Sequence, residues 1–104
     1  MRGVCLKFFV SEVQRHGSEL LYEWLLEQAK GMGIGGGTAL RAVAGFGRHG
    51  RLHEEAFFEL AGDLPVEIEF LVSTEQAERL LALLKTEGLR LFYVAIPAEY
   101  GITE

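Results

Sequence analysis

Apolar residues alternate at the start of the chain, with Val4, Leu6, Phe8 and Val10 on one side and Cys5, Lys7 and Phe9 on the other. A period of two predicts a strand, and here both faces carry apolar side chains. After a polar, turn-like stretch over 11–17 the period changes. Leu21, Trp24, Leu25 and Gln28, flanked by Leu20 and Leu26, recur at helical spacing. Ser18 is placed to cap this helix, and Gly31 and Gly33 to stop it. Gly35-Gly36-Gly37 leads into a second strand over 38–46. A long third strand is read over 56–60 and 64–72, interrupted at Ala61-Gly62-Asp63. In it Val66, Ile68, Phe70 and Val72 point one way, and Glu67, Glu69 and Leu71 the other. Ser73 followed by Gln76 fits a capping box for a second helix, whose buried face is Ala77, Leu80, Leu81 and Leu84 and which Gly88 ends. A fourth strand runs over 89–96, closed by Pro97. The order βαββαβ predicts an α+β fold, the ferredoxin-like split βαβ sandwich.

At 104 residues the chain is read as one domain, 1–104, with room for a single modest core. Its hydrophobic fraction of 49% is high for that size. No apolar run approaches the ~20 residues that span a bilayer, so the surplus points to burial by other subunits, not by lipid. A net charge of −5 argues against nucleic acid as a partner, because such binding rests on neutralising phosphates. The lone Cys5 rules out an internal disulfide and reads as a small packed hydrophobe. Met1-Arg2-Gly3 leads straight into the first strand, so the expected location is the cytoplasm.

The basic residues are concentrated. Arg41, Arg48, His49, Arg51 and His53 fall within thirteen positions, around Gly45-Phe46-Gly47-Arg48-His49-Gly50. A strand that ends in glycines next to arginines allows a phosphate to approach the backbone, and Arg offers it a planar donor fork. The same string is equally at home in a plain tight turn.

Residues 37–50 resemble the second strand and the start of the T-loop in PII signalling proteins. They are closer still to an uncharacterised family of PII-like proteins in which Gly-x-Gly-x-Thr, Gly-Phe-Gly-x-His-Gly and Asp-Leu-Pro recur. The corresponding residues are Gly35-Gly36-Gly37-Thr38, the hexapeptide 45–50 and Asp63-Leu64-Pro65. The order of elements agrees over residues 2 to 96.

The resemblance implies a homotrimer in which Gly45, Gly47, Arg48, His49 and Thr38 meet an anionic ligand in the cleft between subunits. Arg48 would contact nucleotide phosphates, with Gly47 against the nucleotide. Many PII proteins carry glutamine where His49 stands, so sensing of 2-oxoglutarate is not implied. PII proteins also grip the phosphates with a lysine-bearing, Gly-rich loop. Here the matching connection is only Glu87-Gly88-Leu89-Arg90, where Gly88 and Arg90 would substitute by an amide and a guanidinium. AMP or ADP therefore suits the site better than ATP. Residues 47–55 hold one apolar residue, Leu52, and six charged or titratable ones. They are expected to be the most mobile internal segment of the unliganded chain and to carry the signal to a protein target such as a transporter or enzyme.

Other constellations are weaker. His49 and His53, with Glu54 and Glu55 beside them, are candidate metal ligands at a spacing that suits a helix better than a loop. Arg15-His16 is read as an exposed turn. No Ser-His-Asp set is suggested, and Asp63 is explained by a turn. The chain has no Asn, which an acylphosphatase-like site of this topology would need to orient water. The expectation is therefore a PII-like regulator and not an enzyme. Two alternatives share the architecture: a metal-binding trimer resembling the CutA proteins, and a ligand-free interaction scaffold.

Overall fold

A computed structural model describes residues 1–45 and 64–104. The elements in chain order are β1 (Arg2–Ser11), β2 (Arg15–His16), β3 (Glu19–Leu20), α1 (Leu21–Gly31), β4 (Gly37–Arg41), β5 (Pro65–Val72), α2 (Thr74–Thr86) and β6 (Phe92–Glu99). Strands β4-β5-β1-β6 form an antiparallel four-stranded sheet in that order. β1 and β4 run the same way with β5 inserted between them, which is the split βαβ arrangement expected from the sequence.

The alternation along the strands decides which face the helices cover. Leu6, Phe8 and Val10 of β1 join Val66, Ile68, Phe70 and Val72 of β5 in one buried surface, none more than 4% exposed. Leu21, Trp24, Leu25 and Ala29 of α1 and Ala77, Leu80 and Leu84 of α2 complete this core. Phe8 and Phe70 meet edge to face with ring centroids 6.3 Å apart, an arrangement that aromatic quadrupoles favour. Gly37 is explained by the same packing. A side chain at that position would run into the Phe70 ring, with Cε1 2.5 Å from an added Cβ.

The helix ends are well specified. At α2 the Ser73 hydroxyl accepts the Gln76 N–H while the Gln76 side chain accepts the Ser73 N–H, the reciprocal box its sequence predicts. Both helices stop in the same way. Gly33 and Gly88 take positive φ of 86° and 72°, and the following Ile34 and Leu89 amides bond back to Ala29 and Leu84 carbonyls.

Several expectations are corrected. Ser18 does not cap α1: it lies in the turn between β2 and β3, and its carbonyl accepts a bond from Arg15. The N-cap is Leu20, which makes no side-chain bond; the Leu21 amide is satisfied by the Gln14 carbonyl instead. The small hairpin thus replaces a polar cap, a tertiary solution that no local signal announces. His16 is not a free surface group. It packs edge to face on Trp24 at 4.5 Å and bonds Glu87 at 2.9 Å. β4 ends at Arg41, short of the predicted Phe46, which lies outside the described residues, as does the predicted strand over 56–60. β6 starts at Phe92 and continues through Pro97 to Glu99, three residues off the prediction at each end. An edge strand tolerates proline because one side of its backbone needs no partner.

Candidate functional site

The site residues on the described part of the chain fall in two groups. Thr38 is on the edge strand β4, exposed, opposite Glu69. Gly45 lies four residues beyond β4, exposed, close to Pro65. Gly88 and Arg90 form the second group, in the short connection between α2 and β6, both exposed. Gly47, Arg48, His49 and His53 lie outside the described residues.

Register places Gly45 and the Gly88–Arg90 connection towards one end of the sheet but on opposite edges, with Thr38 further back along β4, in the row of Glu69, Lys7 and Val94. Leu40, Glu67, Phe9 and Phe92 pair across the four strands in one row. The exit of β4 towards Gly45 and the entry to β6 from Arg90 flank that row at its two ends. Three strand spacings separate them, roughly 14 Å. Within a single chain the two groups are thus set apart by the width of the sheet.

Local geometry narrows what each residue has to offer. The Gly88 amide donates to the Lys85 carbonyl at 3.0 Å, so it is engaged inside the helix terminus. What faces outward there is a position without a side chain, followed by the Arg90 guanidinium. Among the described residues, no buried side-chain nitrogen or oxygen lacks a partner, so no orphaned polar atom marks a ligand socket within one chain. Nor do three His, Cys, Asp or Glu side chains converge as metal ligands among the described residues.

A residue missed in the sequence organises the base of this region. The Glu12 carboxylate accepts the Arg41 Nε–H at 2.7 Å through one oxygen and the Leu64 amide at 3.3 Å through the other. The Glu12 amide in turn donates to the Leu64 carbonyl, and the Ala42 amide to the Pro65 carbonyl. Glu12 therefore ties together the end of β4 and the start of β5. Nothing local signals it, because its partners stand 29 and 52 positions away.

The opposite face of the sheet is the other unusual feature. Leu40, Leu71, Phe92 and Ile96 are 44–50% exposed on it, around an ion-paired cluster of Lys7, Glu67 and Glu69. The Glu67 carboxyl is held above its ordinary range, first by a hydrogen bond with Glu69 and then by partial burial, while Lys7 pulls the other way. Lys7 is raised in turn, chiefly by the Glu67 charge.

A sheet in this strand order, backed by two helices on one face, defines a ferredoxin-like fold. Residues 3–89 match the DUF190 family, described as Uncharacterized ACR, COG1993, and the chain belongs to that family. Relatives include a UPF0166 protein of Aquifex aeolicus (strain VF5), 35% identical over 80 residues that make up 77% of this chain and 76% of that one. A UPF0166 protein of Methanocaldococcus jannaschii is 32% identical over 93 residues, 86% of this chain and 85% of the relative. The fold is similar to a crystal structure described as that of a candidate PII-like signaling protein from Thermus thermophilus. The two superpose with a TM-score of 0.58 at 22% identity, over 94% of this chain and 86% of the other. No helix among the described residues is long and apolar enough to cross a membrane.

Proposed function

We propose that this chain is a trimeric, cytoplasmic PII-like regulator that binds an adenine nucleotide, AMP or ADP in preference to ATP, in clefts between subunits. The observation that carries this reading is the split of the candidate site. Thr38 and Gly45 stand at one sheet edge and Gly88 and Arg90 at the other, an arrangement that suits a ligand held between two chains. Trimerisation supplies such a pairing and also covers the half-exposed apolar face around Phe9, Leu71 and Phe92. Arg48 and the Gly47 amide hold the phosphates, His49 and Arg90 complete the pocket, and residues 47–55 carry the signal to a protein target. The protein acts as a regulator and not as a catalyst.

Calorimetry with AMP, ADP and ATP tests the site. Arg48→Ala should lose roughly ten- to hundredfold in affinity with the fold intact, as befits a charge-assisted bidentate contact worth about 1.5–3 kcal/mol. Arg51→Ala should lose least, because a solvated contact is screened, and Arg90→Ala an intermediate amount. Equal small losses at all three positions would reduce the site to diffuse electrostatics. Absence of nucleotide binding would leave the scaffold reading in front, and stoichiometric metal retention through His49 and His53 the CutA-like one.

A further inference from the structure

Among the described residues, the helix-free face of the sheet carries a charge imbalance that a second copy of the same face repeats. Lys7 on β1 stands opposite Glu69 on β5; its Nζ lies 3.6 Å from Glu69 Oε2 and 3.5 Å from Glu67 Oε2. The neighbouring strands add no charge to this face, since β4 contributes Thr38 and Leu40 and β6 contributes Phe92, Val94 and Ile96. Cys5, on β1 two residues before Lys7, is the remaining titratable group facing the cluster from the described residues. The described face is thus one cation and two carboxylates, framed by half-exposed apolar side chains.

The half-exposed apolar frame of Leu40, Leu71, Phe92 and Ile96 makes further copies of this face its fitting occupant. Symmetry then sets a limit. Among the described residues every copy of the face brings the same surplus of one carboxylate, so where copies of this face converge about one axis the ratio of acids to bases on them is unchanged. As the apolar frame closes and water leaves, an uncompensated carboxylate becomes expensive.

We propose that assembly through this face takes up about one proton per chain from solvent, held between the Glu67 and Glu69 carboxylates, so that acid tightens the oligomer and base loosens it. The inference rests on the trimeric reading above. Already in the single chain the two carboxyls share a hydrogen bond that favours the protonated form of Glu67. Burial on assembly moves it further in the same direction. A carboxyl whose pKa rises on association favours the assembled state below its free-chain value, and that gain is lost as pH rises through the assembled value.

Sedimentation of the full chain between pH 8 and pH 5.5 tests this. One proton per chain corresponds to about a thousandfold change in the trimer association constant per pH unit at its steepest. Glu67→Gln, with an unchanged circular dichroism spectrum, should assemble more tightly at pH 8 and lose most of the slope; Glu78→Gln, a carboxylate on α2 away from this face, should keep the wild-type slope. Dilution calorimetry of the wild type in buffers of different ionisation enthalpy should return one proton per chain, and it needs no variant to fold. A wild-type trimer with pH-independent affinity, or a slope that survives Glu67→Gln, would overturn the proton linkage and leave the trimer standing. A monomer at every pH would overturn both.

Discussion

Strands β1 and β5 present two faces whose residues alternate one by one, and the two faces have been put to different uses. On the helix side Leu6, Phe8, Ile68, Phe70 and Val72 are sealed at 0–1% exposure. On the other side their immediate neighbours Cys5, Lys7, Phe9, Glu67 and Glu69 are only partly covered, and Leu71 is half exposed. Propensity separates the faces only in part: Phe9 and Leu71 on the open side are as apolar as Phe8 and Phe70 on the sealed one, and only Lys7, Glu67 and Glu69 mark the open side as more polar. The difference is in the neighbours: two amphipathic helices close one face, and within one chain nothing among the described residues closes the other. A strand that is apolar on both faces therefore reports on a second layer that the described part of the chain does not supply.

Deleting one large side chain from each face should separate their contributions to stability. Phe70→Ala removes a fully buried ring from between Phe8 and the helices, and should cost about 3–5 kcal/mol in urea unfolding through lost burial and a cavity. Leu71→Ala, the next residue, should cost far less in the isolated chain. Equal costs would mean that the second face is already packed in the folded monomer.

What could be read in advance follows the range of the interactions. The alternation of β1 and β5 and the stripe of α2 are repeated several times within a few residues, and each repeat points to the same face. The capping box of Ser73 and Gln76 and the stop at Gly88 are likewise complete within one turn of helix. Ser18 misled because the true start of α1 is fixed by the β2–β3 hairpin and the Gln14 carbonyl. His16 misled for the same reason: its partners Trp24 and Glu87 belong to two different helical regions. Glu12 went unnoticed because its carboxylate joins residues that only the sheet brings together. For the candidate site, Thr38, Gly45, Gly88 and Arg90 could be named from motifs, but their division between opposite sheet edges is a property of strand order, and no motif contains it.

A smaller effect on folding, with a larger one on assembly, is expected from Leu71→Glu. The position is 49% exposed, so the added charge stays solvated in the single chain, and stability should move by no more than about 1 kcal/mol. In a trimer closed over this face the same carboxylate would be buried beside Glu67 and Glu69 with no cation of its own. Light scattering should then show a folded monomer in place of the trimer proposed for the wild type. A trimer that survives the substitution would place the subunit contact elsewhere, and with it the cleft proposed for the nucleotide.

The subtlest difference between the faces is electrostatic, and Lys7→Met isolates it. Lys7 is the one influence drawing Glu67 down, against the hydrogen bond from Glu69 and partial burial, both of which hold its carboxyl above the ordinary range. Replacing the ammonium with an uncharged side chain of similar length leaves the two carboxylates facing each other, so Glu67 should rise further. A carboxyl raised in the folded state supports folding while it is protonated, below its unfolded value. That support is lost as pH rises through the folded value. Lys7→Met should therefore match the wild type in urea midpoint at acid pH and fall behind it on the way to neutrality, with the gap opening above the ordinary carboxylate range. The same substitution can make no such pH-dependent difference on the helix side, where β1 and β5 present no titratable group to the core. A constant offset at all pH values would show that Lys7 contributes only through its aliphatic stem, and that Glu67 and Glu69 are kept apart by water in the folded chain.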